Sequence, residues 1–105
     1  MSHTRVNYED VDAVAEAMHF LRDPLDAEQV GVTVLDTDGE WEGKPHDHAE
    51  DDHEEVYLLV DGAATVTVEG EAVALESGDA VRIDPEATRQ IETDEASTLV
   101  LVGAP

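Results

Sequence analysis

From Gln29 onward the chain is a succession of short apolar runs, each cut off by turn-forming residues. Val30 to Leu35 stops at Asp36-Thr37-Asp38-Gly39, Glu55 to Val60 at Asp61-Gly62, and Ala64 to Glu69 at Gly70. Ala72 to Leu75 stops at Ser77-Gly78-Asp79, Ala80 to Ile83 at Asp84-Pro85, and Arg89 to Ile91 and Thr98 to Val102 complete the set. Inside the runs the pattern has period two: Val30, Val32 and Val34 alternate with Gly31, Thr33 and Leu35, and Val66 and Val68 with Thr65 and Thr67. Strand side chains point alternately to opposite faces, so this pattern marks half-buried strands. With turns this regular and no helix-length amphipathic segment between them, the expected fold is all-β, a small sandwich or barrel. A chain of 105 residues holds one such core. The reading divides it into an N-terminal segment, 1–28, packing on a β-barrel, 29–105.

The N-terminal segment supports two readings. Asn7 could cap a helix running through Tyr8-Glu9-Asp10 to Ala17, with Val11, Val14, Ala17 and Met18 on one face. Alternatively, His19-Phe20-Leu21 is an edge strand ended by Asp23-Pro24.

Charge narrows the function classes. The 27 Asp and Glu stand against 5 Lys and Arg, a formal net charge of -22, and Lys44 is the one lysine. Such a chain repels phosphate backbones, which argues against nucleic acid as a partner. The acids are spread along ordinary strand patterns, which reads as a halophilic surface and not as a disordered acidic tail. In molar salt the Debye length falls to about 3 Å, and carboxylate repulsion is screened. There is no cysteine, hence no disulfide, thiolate nucleophile or Cys-based zinc site. No apolar run approaches a membrane span, and Met1-Ser2-His3-Thr4-Arg5 leads into polar residues, so a cytoplasmic protein with no membrane partner is expected.

The ten residues from His46 to Glu55 hold three of the five histidines. A His-x-His pair on extended chain puts both imidazoles on one face, and Glu55 opens the next strand. His46, His48 and Glu55 are therefore candidate ligands for a divalent metal, since two imidazoles and a carboxylate suit zinc, manganese, iron or nickel. His53, two residues before Glu55, is a further candidate. Asp47, Glu50, Asp51, Asp52 and Glu54 read as a solvated loop.

These residues carry a family resemblance. The stretch from Gly43 through His46-x-His48 and Glu55 to Gly62 resembles the first motif of the cupin superfamily, and Gly78-Asp79-Ala80-Val81-Arg82-Ile83-Asp84-Pro85 resembles the start of the second. The resemblance implies a double-stranded β-helix, a jelly-roll barrel in which the His-x-His turn, the Glu strand and the second motif converge inside the mouth. It also implies a homodimer, for which Phe20, Leu21 and Leu25 are apolar contact candidates. This chain departs from the pattern twice: Ala49 to Glu54 make a longer spacer than usual, and Arg89 stands where the resemblance expects a fourth, histidine ligand. Arginine has no acceptor lone pair and cannot ligate a metal.

Arg89 has three competing roles: a salt bridge to Glu55 in place of a metal, an anchor for a ligand carboxylate, or a surface residue pairing with local acids. Arg82 is expected to face outward and pair with carboxylates. Trp41 either lines the barrel mouth as a ligand-binding residue or packs in the core. Gly62 and Gly78 are turn glycines. Function stays open between a metal-dependent enzyme on a small polar or carboxylate-bearing molecule, a non-catalytic small-ligand module, and a structural dimer with a vestigial pocket.

The charge reading makes a direct prediction. The melting temperature should rise strongly between low ionic strength and molar KCl, measured by circular dichroism; a flat or falling value would contradict a salt-adapted surface.

Overall fold

In the computed structural model, which describes residues 2–105, the chain forms antiparallel β-structure with little helix. The strands are β1 (Met18–Phe20), β2 (Gly31–Thr37), β3 (Trp41–Glu42), β4 (Glu54–Asp61), β5 (Ala63–Val68), β6 (Glu71–Glu76), β7 (Ala80–Ile83), β8 (Arg89–Thr93) and β9 (Ser97–Ala104). They make a five-stranded sheet of order β1-β2-β9-β4-β7 and a four-stranded sheet of order β3-β8-β5-β6. After β2 the chain changes sheet at almost every connection, and only the β5-β6 hairpin stays in one sheet. That winding is a jelly roll, consistent with a cupin barrel.

Alternation along each strand fills the space between the sheets. On β4, Tyr57 and Leu59 are buried while Val56, Leu58 and Val60 are exposed. Leu99 and Leu101 of β9, Leu35 of β2, Val66 of β5, Leu75 of β6, Ile83 of β7 and Ile91 of β8 complete one core.

The N-terminal helix through Ala17 does not form. Asn7 does cap, its side chain accepting from Glu9 N at 2.9 Å, but only over a 3-10 turn, Tyr8–Asp10. Ala15 and Glu16 then take left-handed angles, φ 52° and 69°, and Met18 N–H donates to Val14 O at 2.9 Å, so the chain reverses into β1. Tertiary contacts outweigh local helix propensity here: β1 pairs along β2, the Tyr8 hydroxyl donates to Asp36 at 3.1 Å, and His19 Nδ1–H donates to Val11 O at 2.7 Å. The edge-strand reading is the one realised, with a different end. β1 stops at Phe20, and Asp23-Pro24 lies inside a single helical turn, α1 (Arg22–Leu25). Pro24 fits there because the first helical N–H groups have no partner to lose. Leu21 is buried by its own chain and Leu25 is half-buried, so of the three expected contact residues Phe20 alone is exposed.

Hydroxyls tie together one end of the barrel. Thr93 Oγ1–H donates to Gly39 O at 2.8 Å, Ser97 N–H donates to Thr37 Oγ1 at 3.1 Å, and Ser97 Oγ–H donates to Ala63 O at 2.9 Å; Thr37, Thr93 and Ser97 are all buried. Gly62 turns into this knot at φ +102°, where an added Cβ would meet Ser97 Oγ and lie 2.6 Å from Ala96 O. Gly62→Ala should therefore destabilise by more than the roughly 1–3 kcal/mol of backbone strain alone. Gly70, at φ +80° with nothing within 4 Å of an added Cβ, isolates the backbone contribution. Thermal melts in molar KCl should rank Gly62→Ala well below Gly70→Ala, and equal losses would refute the steric argument.

Candidate metal centre

The opposite end of β4 holds the histidine cluster. Glu55 faces inward beside Gly103 of β9 and Ile83 of β7. An added Cβ at Gly103 would lie 3.2 Å from Glu55 Cγ, so glycine leaves the space that this side chain uses. The His-x-His segment is fastened to the second motif through backbone. His46 N–H donates to Arg89 O at 3.0 Å, Arg89 N–H returns to His46 O at 2.8 Å, and His48 N–H donates to Pro85 O at 2.8 Å. These anchors bring one donor atom each from His46, His48 and Glu55 within 4.8 Å of one another. His46 is exposed, while His48 and Glu55 are half-buried.

One oxygen organises the group. Glu55 Oε1 accepts from Arg89 Nη1 at 2.8 Å and from the Tyr57 hydroxyl at 3.0 Å, and His48 Nε2 lies 3.2 Å away. Burial, with the Glu55 charge beside it, pushes the Tyr57 phenol well above its ordinary range, which keeps it a donor at any physiological pH. His48 Nδ1 lies 3.1 Å from Asp51, and the hydrogen bond to His48 holds the Asp51 carboxyl below the usual carboxylate range. Arg89 is wholly enclosed at 0% exposure, so the surface role is overturned. It forms an ion pair with Glu55, one of its three competing roles, Nη2–H donates to Asp84 O at 2.6 Å, and buried Nε has no partner. With both terminal nitrogens engaged and no exposed surface, it is not presented as an anchor for an incoming carboxylate.

His53 does not join the ligand group; its ring stacks on His48 with centroids 6.1 Å apart. Trp41 lies elsewhere. It pairs with Thr93, four residues along β8 from Arg89, which at about 3.3 Å per residue is roughly 13 Å away. Its Nε1–H donates to Ala15 O at 2.9 Å, tying the N-terminal turn to the barrel, and its ring packs against the core. Arg82 does face outward, bonded to Glu54 and Asp84 at 2.7 Å each.

Tyr57, Asp51 and Gly103 belong to the site although the sequence pattern did not single them out. Tyr57 carries a usable signal, since it stands two residues from Glu55 on the same strand face. Asp51 reads from sequence as one of the solvated acids, and it is exposed, but the fold of its loop also brings its carboxylate to His48 Nδ1. Gly103 carries no local signal, because its place against Glu55 depends on the β4-β9 register.

Comparison with protein families matches the cupin domain to residues 33–103, more than half of the chain. The chain belongs to the cupin family. A search of curated proteins gives no match. Among solved structures, this cupin is similar to a Thermus thermophilus protein, at 20% identity and a TM-score of 0.75 with 96% of each chain covered. It is also similar to a Bacteroides fragilis cupin, at 24% identity and 0.73 over 95% of this chain and 86% of that one. A third likeness is KdgF from Halomonas sp., at 26% identity and 0.66 over 73% of this chain and 70% of that one. At these identities the structural likeness speaks for the fold.

The Arg89–Glu55 and Arg82–Glu54 ion pairs of this cupin should differ sharply in worth. Glu55→Gln leaves the enclosed Arg89 without its counter-charge and should cost about 3 kcal/mol or more. Glu54→Gln removes one partner of exposed Arg82 and should cost no more than about 1 kcal/mol. Denaturant unfolding in molar KCl checks both, and comparable losses would mean that the Arg89–Glu55 pair is not a structural centre.

Proposed function

We propose that this cupin binds one divalent metal at His46, His48 and Glu55 and presents it to a small polar or anionic ligand, in a cytoplasm of concentrated salt. The observation that carries the reading is the 4.8 Å grouping of two imidazoles and one carboxylate at the barrel mouth. Such a set fits zinc, manganese, iron or nickel and leaves coordination positions for water or ligand. A metal held there would supply Lewis-acid polarisation of a bound oxygen. His46 and His48 are held for this by their backbone bonds to Arg89 and Pro85, and Asp51 fixes the orientation of the His48 ring.

Arg89 sets the affinity. Its guanidinium adds like-charge repulsion to any divalent cation, and it engages the same Glu55 oxygen that a metal would take. That observation favours a second reading, a metal-free small-ligand or structural module in which the Arg89–Glu55 pair stands in place of the ion. The acid-rich surface supports the saline setting, since carboxylates in this number are tolerated where salt screens them.

Calorimetric titration of untagged protein with zinc, manganese and nickel in molar KCl separates these readings. The natural protein should bind one ion weakly, and Arg89→His should tighten binding at least tenfold by replacing a cation with a lone-pair donor. Tight binding by the natural protein that the substitution weakens would overturn the role given to Arg89. Absence of binding by both forms would establish the metal-free reading.

A further inference from the structure

Ahead of β2 the chain crosses the seam between the two sheets. From Asn7 to Phe20 it forms a strap, made of the 3-10 turn, a reversal closed by Val14 and Met18, and β1. On one side β1 pairs along β2 of the five-stranded sheet, Asp36 N–H donates to Ala17 O at 2.9 Å, and just past the strap Leu21 N–H donates to Val32 O at 2.9 Å. On the other side Trp41 Nε1–H reaches Ala15 O from β3, the edge of the four-stranded sheet. The strap is lightly held. Of its residues Ala17 alone is buried, and an alanine brings a single methyl to the core, while Val14 and Phe20 are exposed. Ala15 and Glu16 hold left-handed angles that side chains disfavour. Its charge is of one sign as well: Glu9, Asp10, Asp12 and Glu16 have no lysine or arginine among them between Asn7 and Phe20, and Tyr8 docks on a further carboxylate, Asp36.

We infer that this strap is a salt-operated gate, a unit that lifts off the seam while the barrel stays folded, open at low ionic strength and shut in molar salt. Segments with few buried apolar contacts and exposed backbone hydrogen bonds open at a lower free energy than global unfolding requires. The contacts that hold the strap shut are short in range: one methyl, one phenol, one indole N–H and a short row of backbone bonds. Salt leaves these in place. The force that opens it is the repulsion of its four carboxylates by a chain of net charge -22, which reaches about 30 Å in 0.01 M salt and only about 3 Å in 1 M. Ionic strength therefore sets the balance. The barrel does not depend on the strap for its ladder, since β2 keeps its pairing with β9 from Gly31 to Thr37 when β1 leaves. Opening withdraws Ala17 and Met18 from the core cluster and bares Leu35 and Trp41 beneath them. The gate thus uncovers an apolar slot between the sheets, suited to an uncharged apolar molecule, at the end of the barrel away from the His-x-His segment.

Amide hydrogen exchange of the full chain across a KCl series tests this, with Val14, Met18 and Leu21 reporting the strap and Leu99 and Leu101 of β9 reporting the barrel. Between molar and roughly 0.1 M KCl the protection of the three strap amides should fall together, at least tenfold, and stay below that of β9 while circular dichroism still reports folded protein. Nile red, an uncharged apolar dye, should brighten over the same range. Trp41→Phe removes the Nε1–H donor and keeps an aromatic ring, and should lower strap protection about fivefold in molar KCl. Glu16→Gly removes one carboxylate together with the side-chain cost of the left-handed angle, and should raise strap protection at low salt. Glu16 is exposed, so this variant decides the matter should Trp41→Phe fail to fold. Strap amides as protected as those of β9, strap protection indifferent to salt, or a dye signal that stays flat while the strap exchanges would overturn the proposal.

Discussion

The Arg89–Glu55 pair is the contact on which the mouth of this barrel depends. An enclosed guanidinium is tolerated only with a counter-charge, and Glu55 supplies it at 2.8 Å. The pair joins β8 of one sheet to β4 of the other, so it closes the mouth as a strut between sheets. The same two residues locate everything else. The backbone of Arg89 exchanges two hydrogen bonds with His46, and the Glu55 oxygen gathers Tyr57 and His48. An imidazole at position 89 would leave the strut to the metal; with arginine, the strut exists before any ion arrives. A metal bound here would therefore compete with the strut for one carboxylate oxygen.

The long spacer between His48 and Glu55 follows from that arrangement. With Glu55 Oε1 already accepting from Arg89 and Tyr57, His48 needs independent support for its ring, and the added loop length provides Asp51 on Nδ1 and His53 stacked behind. Asp52 takes a left-handed angle, φ 56°, to close this loop, and its N–H donates to His48 O at 2.9 Å. A carboxylate on the second nitrogen raises the donor strength of an imidazole toward a metal, which acts against the repulsion from Arg89. The loop acids thus divide into one that works within the site and others that face solvent.

Much of the barrel was legible because its strands are written as apolar runs with turn residues at their ends, and burial then fixes which face turns inward. The grouping of His46, His48 and Glu55 was legible for the same reason: a period-two pair and a strand-opening acid need only local geometry. What was hidden depends on chain partners distant in sequence. Gly103 gains its meaning only opposite Glu55, the enclosure of Arg89 only when the sheets close, and Trp41 its partner only when the N-terminal turn folds back to offer Ala15 O. That turn is itself unreadable locally, since Ala15 and Glu16 have no preference for left-handed angles. Helix and edge strand were both plausible for residues 7 to 21, and pairing with β2 decided between them.

Where cations sit in so acidic a chain follows from what salt can reach. Mobile ions screen exposed carboxylates at a Debye length of about 3 Å in molar salt, so most of the 27 acids need no fixed partner. Glu55 is only 15% exposed, and there a fixed cation, the enclosed Arg89, is provided. Arg82 is exposed and pairs with exposed Glu54 and Asp84, so its worth to stability is small. Arg22 donates to the Ala27 and Glu28 carbonyls that follow α1, a task no mobile ion performs with fixed geometry. Two of the four arginines, Arg89 and Arg22, are thus placed where solvent salt cannot substitute for them, which explains how a fold can retain so few cations and still be specified at the sites that need them.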